Sequence, residues 1–147
     1  MTPEQTFSIA NFAALCGWLP LIVSPGRKWV DTVVAGAVVP AGFAVLYSIF
    51  IVVHFFGSPG GFSSLPDVAL LFSNPWLLLA GWVHYLAFDL LVGAWEARDA
   101  RERGVRHIFL VPCLILTFLF GPAGWLLYLG VRTRARTARQ PSVSGAG

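Results

Sequence analysis

Charge is scarce in this chain. Only 12% of its 147 residues are Asp, Glu, Lys or Arg, while 56% are hydrophobic. A soluble domain of this length needs more polar surface. Cysteine is nearly absent: Cys16 and Cys113 stand far apart, which excludes a disulfide framework and a zinc finger. Both read as small apolar packing residues. There is no Gly-x-Gly-x-x-Gly, no phosphate-binding loop and no Gly-x-Ser-x-Gly elbow, so nothing points to a nucleotide or a serine nucleophile. No internal repeat is visible, which argues against a secondary transporter. The first residues carry Glu4 and no Lys or Arg, unlike a secretory signal or a transit peptide.

What is present is apolar length. Mean hydropathy is +0.72. Four apolar runs each approach or exceed the roughly 20 residues that cross a bilayer core. They are Phe7 to Val23, Trp29 to Phe56, Pro75 to Arg103 and His107 to Val131. The expectation is all-α: one integral membrane four-helix bundle over residues 1–131, in the cell membrane, with lipid as its surroundings. Residues 132–147 read as a basic, unstructured tail. In the second connection, Ser64-Leu-Pro-Asp67 has the pattern of a helix start, which predicts a short interfacial helix near Pro66 to Phe72. Ser73-Asn74-Pro75 caps the third long helix, and Gly104 stops it.

The basic residues cluster at the ends of apolar runs. Nine of the ten are Arg, a bias that points to a GC-rich bacterial genome. The placement suits membrane orientation and offers no nucleic-acid surface. Two lie between the first and second runs, four at and just beyond the end of the third (Arg98 to Arg106) and four in the tail. The first and third connections therefore belong on the cytoplasmic side, opposite 57–74. Four full crossings leave the Arg-rich tail outside. A fourth run that re-enters at Gly121-Pro122 avoids this conflict, but about 25 helical residues span roughly 37 Å, enough to cross. Four crossings, with both termini outside, are the expectation.

Chemistry concentrates on the third run. With Asp89 placed at 0° and about 100° per residue, Trp82 falls at about +20°, Tyr85 at about −40°, Gly93 at about +40°, Glu96 at about −20° and Asp99 at about −80°. One face thus carries three carboxyl groups, an indole, a phenol and a gap. An ionisable residue inside a membrane is costly and faces a bundle interior or a cavity. Asp89, Glu96 and Asp99 are the candidate catalytic residues. A carboxylic acid beside a carboxylate can do acid/base work. For Glu96 and Asp99 an ion pair with Arg98, Arg103 or Arg106 is the plainer alternative. Thr117 and, less directly, Asn11 are the expected donors to Asp89. Asn11 is either an interhelical packing contact or a substrate contact. His54, His84 and His107 are isolated, so neither a metal site nor a cofactor is expected.

Three pieces resemble a known family. They are Phe7-Ser-Ile-Ala-Asn11 with Trp18 downstream, Asp89-x-x-x-Gly93-x-Trp95-x-x-x-Asp99-Ala100, and Phe120-Gly-Pro-Ala-Gly-Trp-Leu-Leu-Tyr128. The chain resembles the abscisic-acid-deficient-four family of small multi-pass membrane proteins. Its plant members are needed to make neoxanthin from violaxanthin. The resemblance implies a carotenoid or isoprenoid-lipid role and a cofactor-independent isomerisation, with Asp89, Glu96 and Asp99 as acid and base. It implies that Asn11, Trp18, Trp82, Tyr85, Trp95 and Tyr128 contact a polyene. The other reading is a non-catalytic membrane protein that binds a polyene or partners a membrane enzyme.

Overall fold

The computed structural model describes residues 1–23, Val30 and 38–138. Among these there are six helices and no strand: α1 Pro3–Val23, α2 Val38–His54, α3 Leu65–Leu71, α4 Pro75–Arg103, α5 His107–Phe120 and α6 Pro122–Ala138. By length and composition, α1 and α4 are able to cross a membrane; α2 and α5 are shorter apolar helices.

Local chemistry sets most helix ends. α1 begins earlier than its apolar run because Thr2-Pro-Glu-Gln5 is a capping box. Gln5 N–H donates to Thr2 Oγ1 at 3.3 Å, and Thr2 N–H donates to Gln5 Oε1 at 3.0 Å. Ser64 caps α3 through the Asp67 N–H at 3.2 Å, as its sequence pattern predicts. Asn74 caps α4 through the Trp76 N–H at 3.0 Å, with Pro75 following. Gly104, at φ 68°, ends α4 in the left-handed conformation. The expected start of the second helix at Trp29 lies outside the described residues.

α4 is the axis of the molecule. α1, α2, α5 and α6 all pack on it. Contacts along it give each neighbour a direction. Asn11 bonds Trp82, Gly17 abuts Leu90 and Trp18 covers Gly93, so α1 runs parallel to α4. Tyr47 meets His84 and His54 stacks on Trp76, each at 5.2 Å between rings, so α2 runs antiparallel. Thr117 bonds Glu96, and Tyr85 reaches the Phe118 carbonyl, so α5 is antiparallel as well. Tyr128 and Arg132 both bond Asp99, so α6 turns back and runs parallel to α4.

The fourth apolar run is therefore a hairpin and not one continuous helix. α5 has 14 residues, about 21 Å, and stops at Gly121 with φ 45° and ψ −98°. Pro122 then opens α6 at a first-turn position where no N–H is needed. Gly124 makes the close return possible, because a Cβ there would strike the backbone N and side chain of Thr117. α6 continues past Val131 to Ala138, through the start of the expected unstructured tail. The Val23 end of α1, the Val38 end of α2, the α4–α5 connection and the Arg132 end of α6 all face the Arg103 end of the molecule. Among the described residues, Arg98, Arg101, Arg103, Arg106, Arg132 and Arg134 all belong to segments at that end.

Large apolar side chains cover the exterior. Phe12, Val45, Val52, Phe88, Ile108 and Leu126 are exposed, and α2 is apolar on both its inner and outer faces. The core is a stripe of small residues on α4, including Ala80, Ala87, Ala94, Ala97 and Ala100, which lets its neighbours approach closely.

The hairpin makes a direct prediction about sidedness. In a background lacking Cys16 and Cys113, single cysteines at Phe62, Glu102 and Thr133 are labelled with a membrane-impermeant maleimide. Glu102→Cys and Thr133→Cys react from one side and Phe62→Cys from the other. Thr133→Cys reacting together with Phe62→Cys would restore four full crossings.

Candidate functional site

Three of the four carboxylates of α4, Asp89, Glu96 and Asp99, are buried, and Glu102 near its end is exposed. Asp89 is 8% exposed, Asp99 6% and Glu96 fully enclosed. Each meets a different environment.

Asp99 lies in a dense ionic cluster. Arg103, one turn on, donates from Nε at 2.8 Å. Tyr128 donates its hydroxyl at 2.7 Å. Arg132 approaches with Nε at 2.9 Å and donates from its terminal nitrogen at 3.1 Å. Trp95 completes the cluster, edge-on to Tyr128 at 5.6 Å and under the Arg132 guanidinium at 5.4 Å. Every acceptor direction of Asp99 is used, so this group anchors the returning arm of the hairpin.

Glu96 has one partner type. The Thr117 hydroxyl donates to it at 3.0 Å. Thr117 is itself fully buried. The expected donation from Thr117 to Asp89 is therefore replaced by one to Glu96. Depth is the reason: the hairpin bends at Gly121, so Thr117 sits beside the turn of α4 that carries Glu96.

Asp89 is the unsatisfied member. Its Oδ2 is buried and has no hydrogen-bond partner among the described residues. Gly121 lies against the carboxylate so closely that a Cβ there would sit 2.7 Å from Oδ1. Tyr85, one turn earlier, turns its hydroxyl to the Phe118 and Leu119 carbonyls, 3.3 Å from each. Asn11 does not reach Asp89. Its side chain accepts from Trp82 Nε1 at 3.0 Å and donates to the Phe7 carbonyl at 2.9 Å, which occupies both ends of the amide.

The gap expected at Gly93 is filled. The six-membered ring of Trp18 sits where a Cβ would be, and Trp18 is 2% exposed. Trp18 thus fills the space beside Gly93 on the face that carries Asp89 and Glu96. A largely apolar groove of about 730 Å³ runs between the first turns of α1 and α4, floored by Leu78, Trp82 and Tyr85 and flanked by Phe7, Ser8 and Phe72. Of the residues singled out in the sequence, it brings together Trp82 and Tyr85. Trp95 and Tyr128 belong to the Asp99 cluster instead.

Sequence reasoning weighed a turn at Gly121-Pro122 and set it aside, and it missed Arg132 as a partner of Asp99 and the groove wall from Phe72. Signals existed for the first two. Gly-Pro-Ala-Gly is a strong helix break, and an Arg-rich tail belongs with the other Arg-rich connections. Phe72 reaches the groove only through the tertiary placement of α3.

A long central helix with inward carboxylates, a helical hairpin that covers them and an apolar exterior define an all-helical protein with membrane-crossing capacity in at least two helices. The chain belongs to the ABA DEFICIENT 4-like family, whose model matches residues 5–128. It is thus neoxanthin-synthesis-like in the general sense that its sequence motifs imply. Comparison with curated proteins and with solved structures gives no match.

Two stability outcomes follow from this geometry. Gly93→Ala forces Trp18 out of its seat and costs about 1–3 kcal/mol, the usual range for overpacking. Arg132→Met leaves Asp99 with Arg103 and Tyr128 and costs about 1.5–3 kcal/mol, the scale of one hydrogen bond to a charged group. Thermal unfolding of the purified variants in detergent checks both. Unchanged midpoints would mean that neither contact is made in solution.

Proposed function

We propose that this is a multi-pass membrane protein of carotenoid or isoprenoid-lipid metabolism, acting as a cofactor-independent isomerase through acid/base chemistry at Asp89. The observation that carries this reading is the bare Oδ2 of Asp89. A buried carboxyl oxygen without a donor is costly, and natural structures rarely keep one without a use. It lies one helical turn from an apolar groove wide enough for a chain or ring of isoprenoid character. The apolar exterior supports a bilayer setting, since soluble monomers seldom expose so much contiguous apolar surface. In that setting α1, α2 and α4 cross, and α5 with α6 enters and leaves on the Arg-rich side. The substrate comes from the lipid, and an isomerisation needs only that a proton given at one atom be recovered at another.

Glu96 and Asp99 take lesser parts on this reading. Asp99 holds the hairpin, and Glu96 is tied to Thr117. That employment of two carboxylates in packing also favours the second reading, a non-catalytic protein that binds a polyene or partners a membrane enzyme.

Pigment and isoprenoid-lipid profiling of a deletion strain, complemented with variants, separates the two. Asp89→Asn keeps the fold, because the side chain is isosteric, and lowers product formation by at least about 100-fold, the lower range for loss of a general acid or base. Asp99→Asn lowers the amount of folded protein more than the activity per molecule. Full complementation by Asp89→Asn would remove the catalytic role. A pigment that co-purifies with the wild type while cellular pools stay unchanged would establish the binder.

A further inference from the structure

α4 carries a further polar group on a face away from the groove. His84 is exposed on the outside of the helix. Its ring lies 4.6 Å from that of Phe88 and 5.2 Å from that of Tyr47 on α2, which is half-buried. Phe88 is 54% exposed and Leu91 37%. Residues 84, 88 and 91 share one helical face, so the three make an uncovered strip beside Tyr47. Among the described residues, neither the Tyr47 hydroxyl nor the His84 imidazole takes part in a hydrogen bond. Neither residue lines the groove between α1 and α4.

Depth makes this pair costly. His54 stacks on Trp76 at 5.2 Å, where α2 ends and α4 begins. A Trp at that position marks the membrane surface. Tyr47 lies about two turns from His54, and His84 about two turns from Trp76, so both sit roughly 10–12 Å below that level. The hydrocarbon core is about 30 Å thick, which puts the pair near its middle. Ionisable side chains at such depth ordinarily face a bundle interior or a cavity. Here an imidazole faces outward beside a phenol, and the donors of both are unused. A group carried by the membrane has to serve them.

We propose that Tyr47 and His84 form a binding site for the ring of an isoprenoid quinone. Two constraints select this ligand. Tyr47 offers an O–H and His84 a ring N–H, so the ligand presents an acceptor. The depth excludes an alcohol, acid or phosphate head group, which stays near the surface where water serves it. A quinone carries two carbonyl oxygens, no O–H and no charge, and its ring enters the hydrocarbon with its isoprenoid tail. One carbonyl accepts from both Tyr47 and His84. The ring lies on the exposed side of Phe88, and the tail continues past Leu91. No covalent bond is made or broken. The site is separate from Asp89 and stands or falls independently of it.

The test uses the full chain in lipid nanodiscs. The probe is an azido-substituted benzoquinone with a geranyl chain, photolysed in place, with the labelled peptides mapped by mass spectrometry. Labelling is expected on 84–91. Decylubiquinone displaces it, and farnesol, an isoprenoid with a hydroxyl in place of the ring, does not. Isotopically labelled histidine gives a second readout by NMR. Decylubiquinone shifts the His84 resonance, assigned by its loss in His84→Phe, and leaves those of His54 and His107 in place. The shift followed against quinone concentration gives a Kd. Tyr47→Phe keeps the ring and raises that Kd about 2- to 10-fold, the scale of one lost neutral hydrogen bond. Labelling spread over the other lipid-facing helices, equal displacement by farnesol, or an unchanged Kd in Tyr47→Phe would overturn the proposal. So would the absence of wild-type labelling together with disulfide-linked dimers of His84→Cys in native membranes, since a second copy of the chain would then cover the pair.

Discussion

Three carboxyl groups on one face of an otherwise apolar helix create a demand that the rest of the chain must meet. Isolated buried charge costs several kcal/mol per group. The hairpin of α5 and α6 is the answer, and its reach decides how fully each group is served. Asp99, nearest the arginine-rich end, receives two guanidinium groups and a phenol. Glu96, deeper, receives one hydroxyl. Asp89, at the tip, faces a glycine turn and keeps one oxygen bare. Polar satisfaction thus declines from the charged end inward, and the least satisfied position is the one nearest the groove.

Small residues make that gradient possible. Gly124 lets the second arm return against Thr117, and Gly93 gives Trp18 its seat. Trp18 in turn fills the space beside Gly93, between the turns that carry Asp89 and Glu96. The same indole packs against Phe118 at 5.5 Å, which links α1 to the end of α5. The position of the hairpin tip is therefore fixed from two sides, by Trp18 and by the Tyr85 hydroxyl.

Much of this was legible in the sequence. Helical periodicity placed Asp89, Glu96 and Asp99 on one face, and the structure turns that face inward. Ser64, Asn74 and Gly104 announced their caps because capping is local chemistry. The fourth run was misread because length alone favours a single crossing, while the decisive feature, Gly121 in a left-handed turn packed against Asp89, is a tertiary contact. The partners of the carboxylates were misassigned for the same reason. Once the chain folds back at Gly121, Thr117 lies beside Glu96 and Arg132 beside Asp99. The start of α1 was legible but overlooked: Thr2 and Gln5 form a capping box outside the apolar run. The groove could not be read from the sequence, since its walls come from three separate segments.

The order of synthesis gives the hairpin a second meaning. The partners of Asp99 on α6 lie 29 and 33 residues behind it in the chain. Until α5 and α6 have been made, Asp99 has only Arg103 of its own helix as a partner and Glu96 lacks its Thr117 hydroxyl. A chain that stops short of α6 therefore carries a complete α4 whose buried acids lack most of their donors, so truncation within the last arm acts on the centre of the molecule and not on its edge.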